Sequence, residues 1–267
     1  SRGVENYSEA LEAYKSSDYE KAYEEFAKVP SGSTLKPSAL FRQARCATNM
    51  DKKELAIKKY NRIVHSSVKS SIAPISEYNM ANLMFEIQDK GAKKHFKKII
   101  KKYPTSDYAV ASNYYLGLIE VSNPPKSERW LKKSKNRAFI YFKNYLEEAP
   151  DGRFALKTID EIKKLGVQLT NYDNLLIAKS YYANGEYTKA KDYLNKTTLA
   201  ESWSDFAKNE YKLGNKEKAN YYAELGLKKH ASNTPNADVY EVIDNYIASF
   251  PQRRDGIIKL NSLGLNS

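Results

Sequence analysis

An all-α fold, an α-solenoid of about six helical hairpins following one another along the chain, is predicted by three observations. Alanines recur at Ala22, Ala56, Ala92, Ala138, Ala190 and Ala219, each just after a turn-like stretch. Each is followed about four residues on by a packing residue, most clearly Phe26, Tyr60, Phe96 and Phe142, then Leu194 and Ala223, so that the pair shares one helical stripe. Upstream of each pair lies a second helical pattern with its own small residue: Ala10, Ala44, Ala81, Gly117, Ala178 or Ala207. The third observation is composition: 11 Gly and 9 Pro in 267 residues, with 28% charged residues, disfavour a turn-rich sandwich or barrel.

The elements follow in order. "ENYSEALEAYK" with "DYEKAYEEFAKV" forms the first hairpin, "SALFRQARCATN" with "DKKELAIKKYNRIV" the second, and "ISEYNMANLMFEI" with "GAKKHFKKIIKKYP" the third. The fourth pairs "YAVASNYYLGLIEV" with "KNRAFIYFKNYLEEAP" across an insertion, residues 122–137, in which Pro124-Pro125 stops one helix and Ser127 caps the next. A further helix, "GRFALKTIDEIKKLG", precedes the fifth hairpin, "NLLIAKSYYANG" with "GEYTKAKDYLNKT", and the sixth, "WSDFAKNEYKLG" with "GNKEKANYYAELGL". The last segment, "NADVYEVIDNYIASFPQRRDGIIKL", begins another hairpin with little length to finish it, and "GIIKLNSLGL" lacks the polarity of a solenoid's outer cap, so continuation past it is expected. The expected organisation is one superhelical domain over 1–267, with first hairpins to 121 and later ones from 138.

These units resemble tetratricopeptide repeats over nearly the whole chain. Trp203, Phe206 and Ala207 match the family's opening pattern, Gly185 and Tyr187 its turn, and Pro104 and Pro150 its closing proline. The resemblance implies a right-handed solenoid whose second helices lie mostly on the convex side. It also implies a ligand groove lined by first-helix positions, here Tyr7, Tyr14, Lys15, Phe41, Arg45, Tyr114, Lys179, Tyr182, Lys208, Tyr211 and Lys212. That set joins aromatic faces, suited to peptides or sugar rings, with cations suited to carboxylates or phosphates. The same tyrosines also suit packing between repeats.

A formal charge of +12 and a pI near 9.3 give the chain affinity for polyanions without choosing among them. The densest basic segment is "KKHFKKIIKKYP", with lysines paired at 93/94, 97/98 and 101/102. In the repeat's register Ala92, His95, Phe96, Ile99 and Ile100 face inward and the lysines fall on the other side, the wet face of a helix capable of diffuse, salt-screened attraction. Specific nucleic-acid binding would need aromatics interleaved on that same surface, and Phe96 faces inward.

Chemistry is not written in the chain. His65, His95 and His230 stand apart with no metal-ligand spacing, no glycine-rich phosphate loop follows a strand, and Glu24-Glu25 and Glu147-Glu148 read as solvated surface pairs. No metal, cofactor or catalytic residue is expected. The lone Cys46 reads as an inert buried thiol. Glu201-Ser202 carries the letters of a lytic transglycosylase glutamate, but without the apolar pocket that raises a catalytic carboxyl.

"YPTSDYAVASNYYLGLIE" and "APDGRFALKTIDEIKKL" resemble tetratricopeptide proteins of the bacterial envelope. The stretch from Tyr172 to Ala219 looks like the superhelix that precedes the catalytic domain of soluble lytic murein transglycosylases. This implies a non-catalytic scaffold that positions a peptidoglycan glycan strand in the periplasm or envelope, with any catalytic domain lying beyond Ser267. The alternatives are an adaptor of the outer-membrane barrel-assembly lipoprotein type, or a cytoplasmic peptide-binding scaffold, with a protein or peptide as the partner. No apolar run reaches the ~20 residues of a membrane-spanning helix.

Overall fold

A computed structural model describes residues 2–66, 70–234 and 236–264, which fold into fifteen α-helices and one 3-10 turn with no strand among them. Two compact units result, Ser1–Asn123 and Pro124–Ser267. The first contains α1 (Arg2–Lys15), α2 (Tyr19–Ala27), α3 (Lys36–Asn49), α4 (Lys53–Val64), α5 (Ala73–Glu86), α6 (Gly91–Lys102) and α7 (Asp107–Ser122), each packed on the next. The second contains α8 (Glu128–Glu148), α9 (Ala155–Leu165), α10 (Asn171–Ala183), α11 (Tyr187–Leu194), α12 (Leu199–Lys212), α13 (Lys216–Lys229), α14 (Asn236–Ala248) and α15 (Arg253–Ser262).

The small residues do what the repeat requires of them. All eleven anchor alanines are at most 5% exposed, and Gly117 is buried as well. Their bulky partners Phe26, Tyr60, Phe96, Phe142 and Leu194 are no more exposed than 2%. A methyl group at the helix crossing lets two backbones approach, and the ring one turn on closes over the contact.

Five hairpin turns share one geometry. After α1, α3, α5, α10 and α12 the chain enters the left-handed region at Ser17, Asp51, Gln88, Gly185 and Gly214, with φ of 61°, 58°, 61°, 75° and 82°. The next N–H reaches back to a carbonyl five residues earlier, as in Asp18 to Ala13 at 2.9 Å and Asn215 to Glu210 at 2.9 Å. This is the Schellman closure of a helix C-terminus, and it reverses the chain in the space of two residues.

Three local outcomes differ from the sequence reading. The halves of the expected fourth hairpin, α7 and α8, fall in different units, and α8 packs on α9 and α10. Ser127 does hold the N-cap position with extended dihedrals, but its side chain makes no capping hydrogen bond, and residues 128–137 of the insertion become the first turns of one 21-residue helix. At the other end Arg253–Ser262 does form a second helix on α14, because Gly256 lets it approach the Ile247 backbone, where a Cβ would sit at 3.0 Å.

On α6, Ala92, Phe96 and Ile99 are buried, His95 and Ile100 are half-buried, and Lys94, Lys97, Lys101 and Lys102 are exposed, as expected of a wet face. Lys93 departs from it: its ammonium lies 3.0 Å from the buried Glu120 carboxylate of α7. His95 is bonded through Nδ1 to the Glu77 carboxylate of α5 at 2.9 Å, which gives a fully buried acid its partner. Cys46 is fully buried, and burial pushes its thiol up to about 11.

Candidate functional site

In the first unit, one polar chain runs across three hairpins. Asn79 of α5 donates through its side-chain amide to the Tyr60 hydroxyl of α4 at 3.2 Å. The Arg45 guanidinium on α3 sits against the hydroxyls of both Tyr60 and Tyr14 of α1. Partial burial works against its charge, but the two hydroxyls more than offset this and hold it above the ordinary arginine value. One turn earlier, Arg42 stacks over the Tyr14 ring, 4.9 Å from its centroid, and Phe41 meets Tyr60 edge-on at 5.7 Å. Neither arginine has a carboxylate within ion-pair distance among the described residues. Two fixed cations among tyrosines thus remain available to an outside anion, and guanidinium forks suit carboxylates bidentately.

The equivalent face of the second unit is self-satisfied. Lys208 of α12 is 9% exposed and lies 3.0 Å from Asp238 and 3.5 Å from Glu241, both on α14. Glu241 also accepts the Tyr182 hydroxyl of α10 at 3.0 Å, and the Lys208 ammonium lies 5.2 Å from the Tyr182 ring centroid. Burial and the Glu241 charge push the Tyr182 hydroxyl far up. Burial also raises Asp205, with Lys179 and Lys208 opposing. The flanking crevices of about 10 Å³ have room for no more than a single water. This cluster ties α10, α12 and α14 together.

The positions proposed from sequence are therefore distributed as follows. Tyr14, Phe41 and Arg45 come together. Tyr7 packs edge-on against Phe26 at 5.3 Å, and Tyr114 is buried beside Tyr115. Lys15, Lys179 and Lys212 are exposed and Tyr211 is half-buried. Lys208, buried and doubly paired, offers no open cation. Sequence reasoning missed Arg42, Tyr60 and Asn79, and the acids Asp205, Asp238 and Glu241. Arg42 is one turn from Arg45 and Asp238 one turn from Glu241, and that spacing was the available signal.

Glu201 is exposed, and the Ser202 hydroxyl is engaged with Thr197 at 2.6 Å and the Thr198 carbonyl at 2.7 Å. Nothing desolvates this glutamate as a general acid requires. Among the described residues no cluster of three metal-ligating side chains occurs, and no helix is long and apolar enough to cross a membrane.

The tetratricopeptide-repeat family model matches residues 38–69, 76–106 and 174–198, the hairpins α3/α4, α5/α6 and α10/α11. No curated protein matches the sequence. Among solved structures, the chain is similar to a tetratricopeptide repeat protein from Parabacteroides merdae at 14% identity and TM-score 0.50, over 91% of this chain and 98% of that one. It also aligns with the C-terminal part of a repeat-containing protein from Cytophaga hutchinsonii at 15% identity and TM-score 0.39, over 94% and 98% of the two chains. Three segments of the chain, 38–69, 76–106 and 174–198, thus match the tetratricopeptide-repeat model, and the chain shares the all-helical hairpin fold of the Parabacteroides merdae protein.

Proposed function

We propose that the chain is a non-catalytic scaffold that binds an acidic stretch of a partner polypeptide on the first-helix face of its first unit. The observation that carries this is the arginine pair on α3: Arg42 and Arg45 are held by Tyr14 and Tyr60 and have no carboxylate within ion-pair distance among the described residues. Preorganised cations lose little side-chain freedom on binding, so more of the ion-pair energy reaches the complex. The narrower readings, the glycan-positioning superhelix of a lytic transglycosylase in the bacterial envelope and the barrel-assembly adaptor, rest on the sequence resemblance. Acidic polypeptide is favoured because the arginine pair needs an anion, and a glycan strand would bring sugar rings to tyrosines that already pack against one another.

The test is fluorescence anisotropy with a labelled Glu/Asp-rich decapeptide, run beside sedimentation with purified peptidoglycan sacculi. Arg42→Ala with Arg45→Ala is expected to weaken the peptide at least tenfold, while replacing Lys97, Lys98, Lys101 and Lys102 together changes it less than threefold. Equal losses from both sets would leave only diffuse electrostatics. Retention on sacculi at physiological salt, undisplaced by the peptide, would transfer the function to the cell wall.

A further inference from the structure

The amino-terminal half of α8 is the inserted segment, and it is thinly covered. From Glu128 to Arg137 only Ser134 is buried, whereas from Ala138 onward the helix contributes Ala138, Phe139, Phe142, Tyr145 and Leu146 to the core. Between this overhang and the loop from α9 to α10 lies a groove of about 620 Å³. That is within the ~300–1,000 Å³ typical of ligand sites. Its α8 wall follows a single helical stripe, residues 128, 131, 132, 135, 136, 139 and 143.

The floor is apolar. Leu131 and Val167 are half-buried, and Phe139 and Leu165 are 9% and 6% exposed. One end is finished internally: Lys143 lies 3.1 Å from Asp173 and 4.2 Å from the Phe139 ring centroid, and Asp173 also accepts the Thr170 N–H at 3.0 Å as half of a capping box. The rim is unfinished. Lys132 is exposed and Lys135 half-buried, and neither has a carboxylate within ion-pair distance among the described residues. Glu128 is the one acid at the overhanging end.

We infer that this groove is a second docking site, for a polypeptide segment that alternates carboxylates with bulky apolar side chains. An apolar side chain of the segment covers the floor formed by Leu131, Phe139, Leu165 and Val167, and its neighbouring carboxylates pair with Lys132 and Lys135. A purely polar polyanion would leave the floor wet, and a purely apolar segment would leave two lysine charges beside it without partners. The charge complementarity and the floor together therefore select an acidic amphipathic chain. The site is separate from the arginine face in residues and in compact unit, and stands or falls independently of it.

The test is photo-crosslinking of the full chain with a Glu/Leu alternating dodecapeptide carrying a benzophenone side chain in place of one leucine, read by mass spectrometry. Expected are crosslinks within residues 128–173. These should fall at least tenfold in Lys132→Glu with Lys135→Glu, fall similarly with a Gln-for-Glu peptide, and persist in Arg42→Ala with Arg45→Ala. Circular dichroism confirms the variants are folded, and Val167→Asp provides an independent block of the floor. Crosslinks confined to α1, α3 and α4 would overturn this inference and leave the arginine face intact. Undiminished crosslinking with the Gln peptide would reduce the groove to non-specific adhesion. A concentration-dependent dimer with crosslinks between copies would assign the groove to self-association instead.

Discussion

Asp205 shows how one buried residue couples the second unit to pH. Burial raises its carboxyl above the ordinary value of 3.8, and the nearby Lys179 and Lys208 only partly counter this. The folded state therefore holds this proton more tightly than the unfolded chain does. Stability from this group is full at pH below 3.8 and declines as pH rises through the elevated folded value. Asp205→Asn keeps the shape and removes the titration. Urea unfolding of the two proteins between pH 3.5 and about 7 should show the Asn variant gaining stability relative to the parent as pH rises, by about 1.4 kcal/mol for each unit of upward shift. Parallel pH profiles would mean that Asp205 titrates as an exposed carboxylate. Lys208 is a buried cation: burial works against its charge, but the opposite charge of Asp238 keeps it and raises its ammonium above the ordinary value.

Hairpin turns carry a measurable strain at the scale of the element. A left-handed conformation costs an L-residue about 1–2 kcal/mol, less for Asp or Asn than for residues such as Gln. The second unit places glycine at Gly185 and Gly214, but the first unit meets the same Schellman geometry with Ser17, Asp51 and Gln88. Gln88→Gly and Ser17→Gly should therefore each stabilise the protein by about 0.5–1 kcal/mol, the backbone entropy of glycine in the unfolded chain absorbing the remainder. Gly185→Ala should destabilise it by about 1 kcal/mol. Urea midpoints at constant slope decide the matter. A loss on introducing glycine at position 88 would show that the side chain there contributes more than its backbone costs.

Across the whole molecule, contacts run mainly between neighbouring helices, as in other repeat proteins, so damage should stay local. Gly226 on α13 lies against the fully buried indole of Trp203 on α12, so closely that an added methyl would overlap the ring. Gly226→Ala must push apart the cluster of Trp203, Ala207, Ala223, Leu227, Val242 and Tyr246, at a cost of about 1–3 kcal/mol. Native-state hydrogen exchange should show faster opening in α12 to α14, with protection in α1 to α6 unchanged. Uniform loss of protection would instead mean that the two compact units unfold as one.

The helical class, the hairpins α1/α2, α3/α4, α5/α6, α10/α11 and α12/α13, and the buried stripe of small residues were legible in the sequence, whereas the expected pairing of α7 with α8 was not what formed. They depend on contacts three or four residues apart, as at Ala22 with Phe26 or Ala92 with Phe96. The wet face of α6 was legible for the same reason, up to Lys93, whose partner Glu120 lies on another helix. The turn residues of the first unit were hidden because Ser17, Asp51 and Gln88 lack the glycine that advertises a left-handed position. The site was half legible. Tyr14, Phe41 and Arg45 could be named from repeat register, but register says nothing about what stands opposite. Only the tertiary structure decided that Lys208 is spent on Asp238 and Glu241 while Arg42 and Arg45 have no such acid among the described residues. The inserted segment likewise became the wall of a groove only once α8 folded beside the α9–α10 loop. Local periodicity fixes which face of a helix is buried, whereas the pairing of charges across helices depends on residues some eighteen to thirty-three positions apart that meet only when the helices stack.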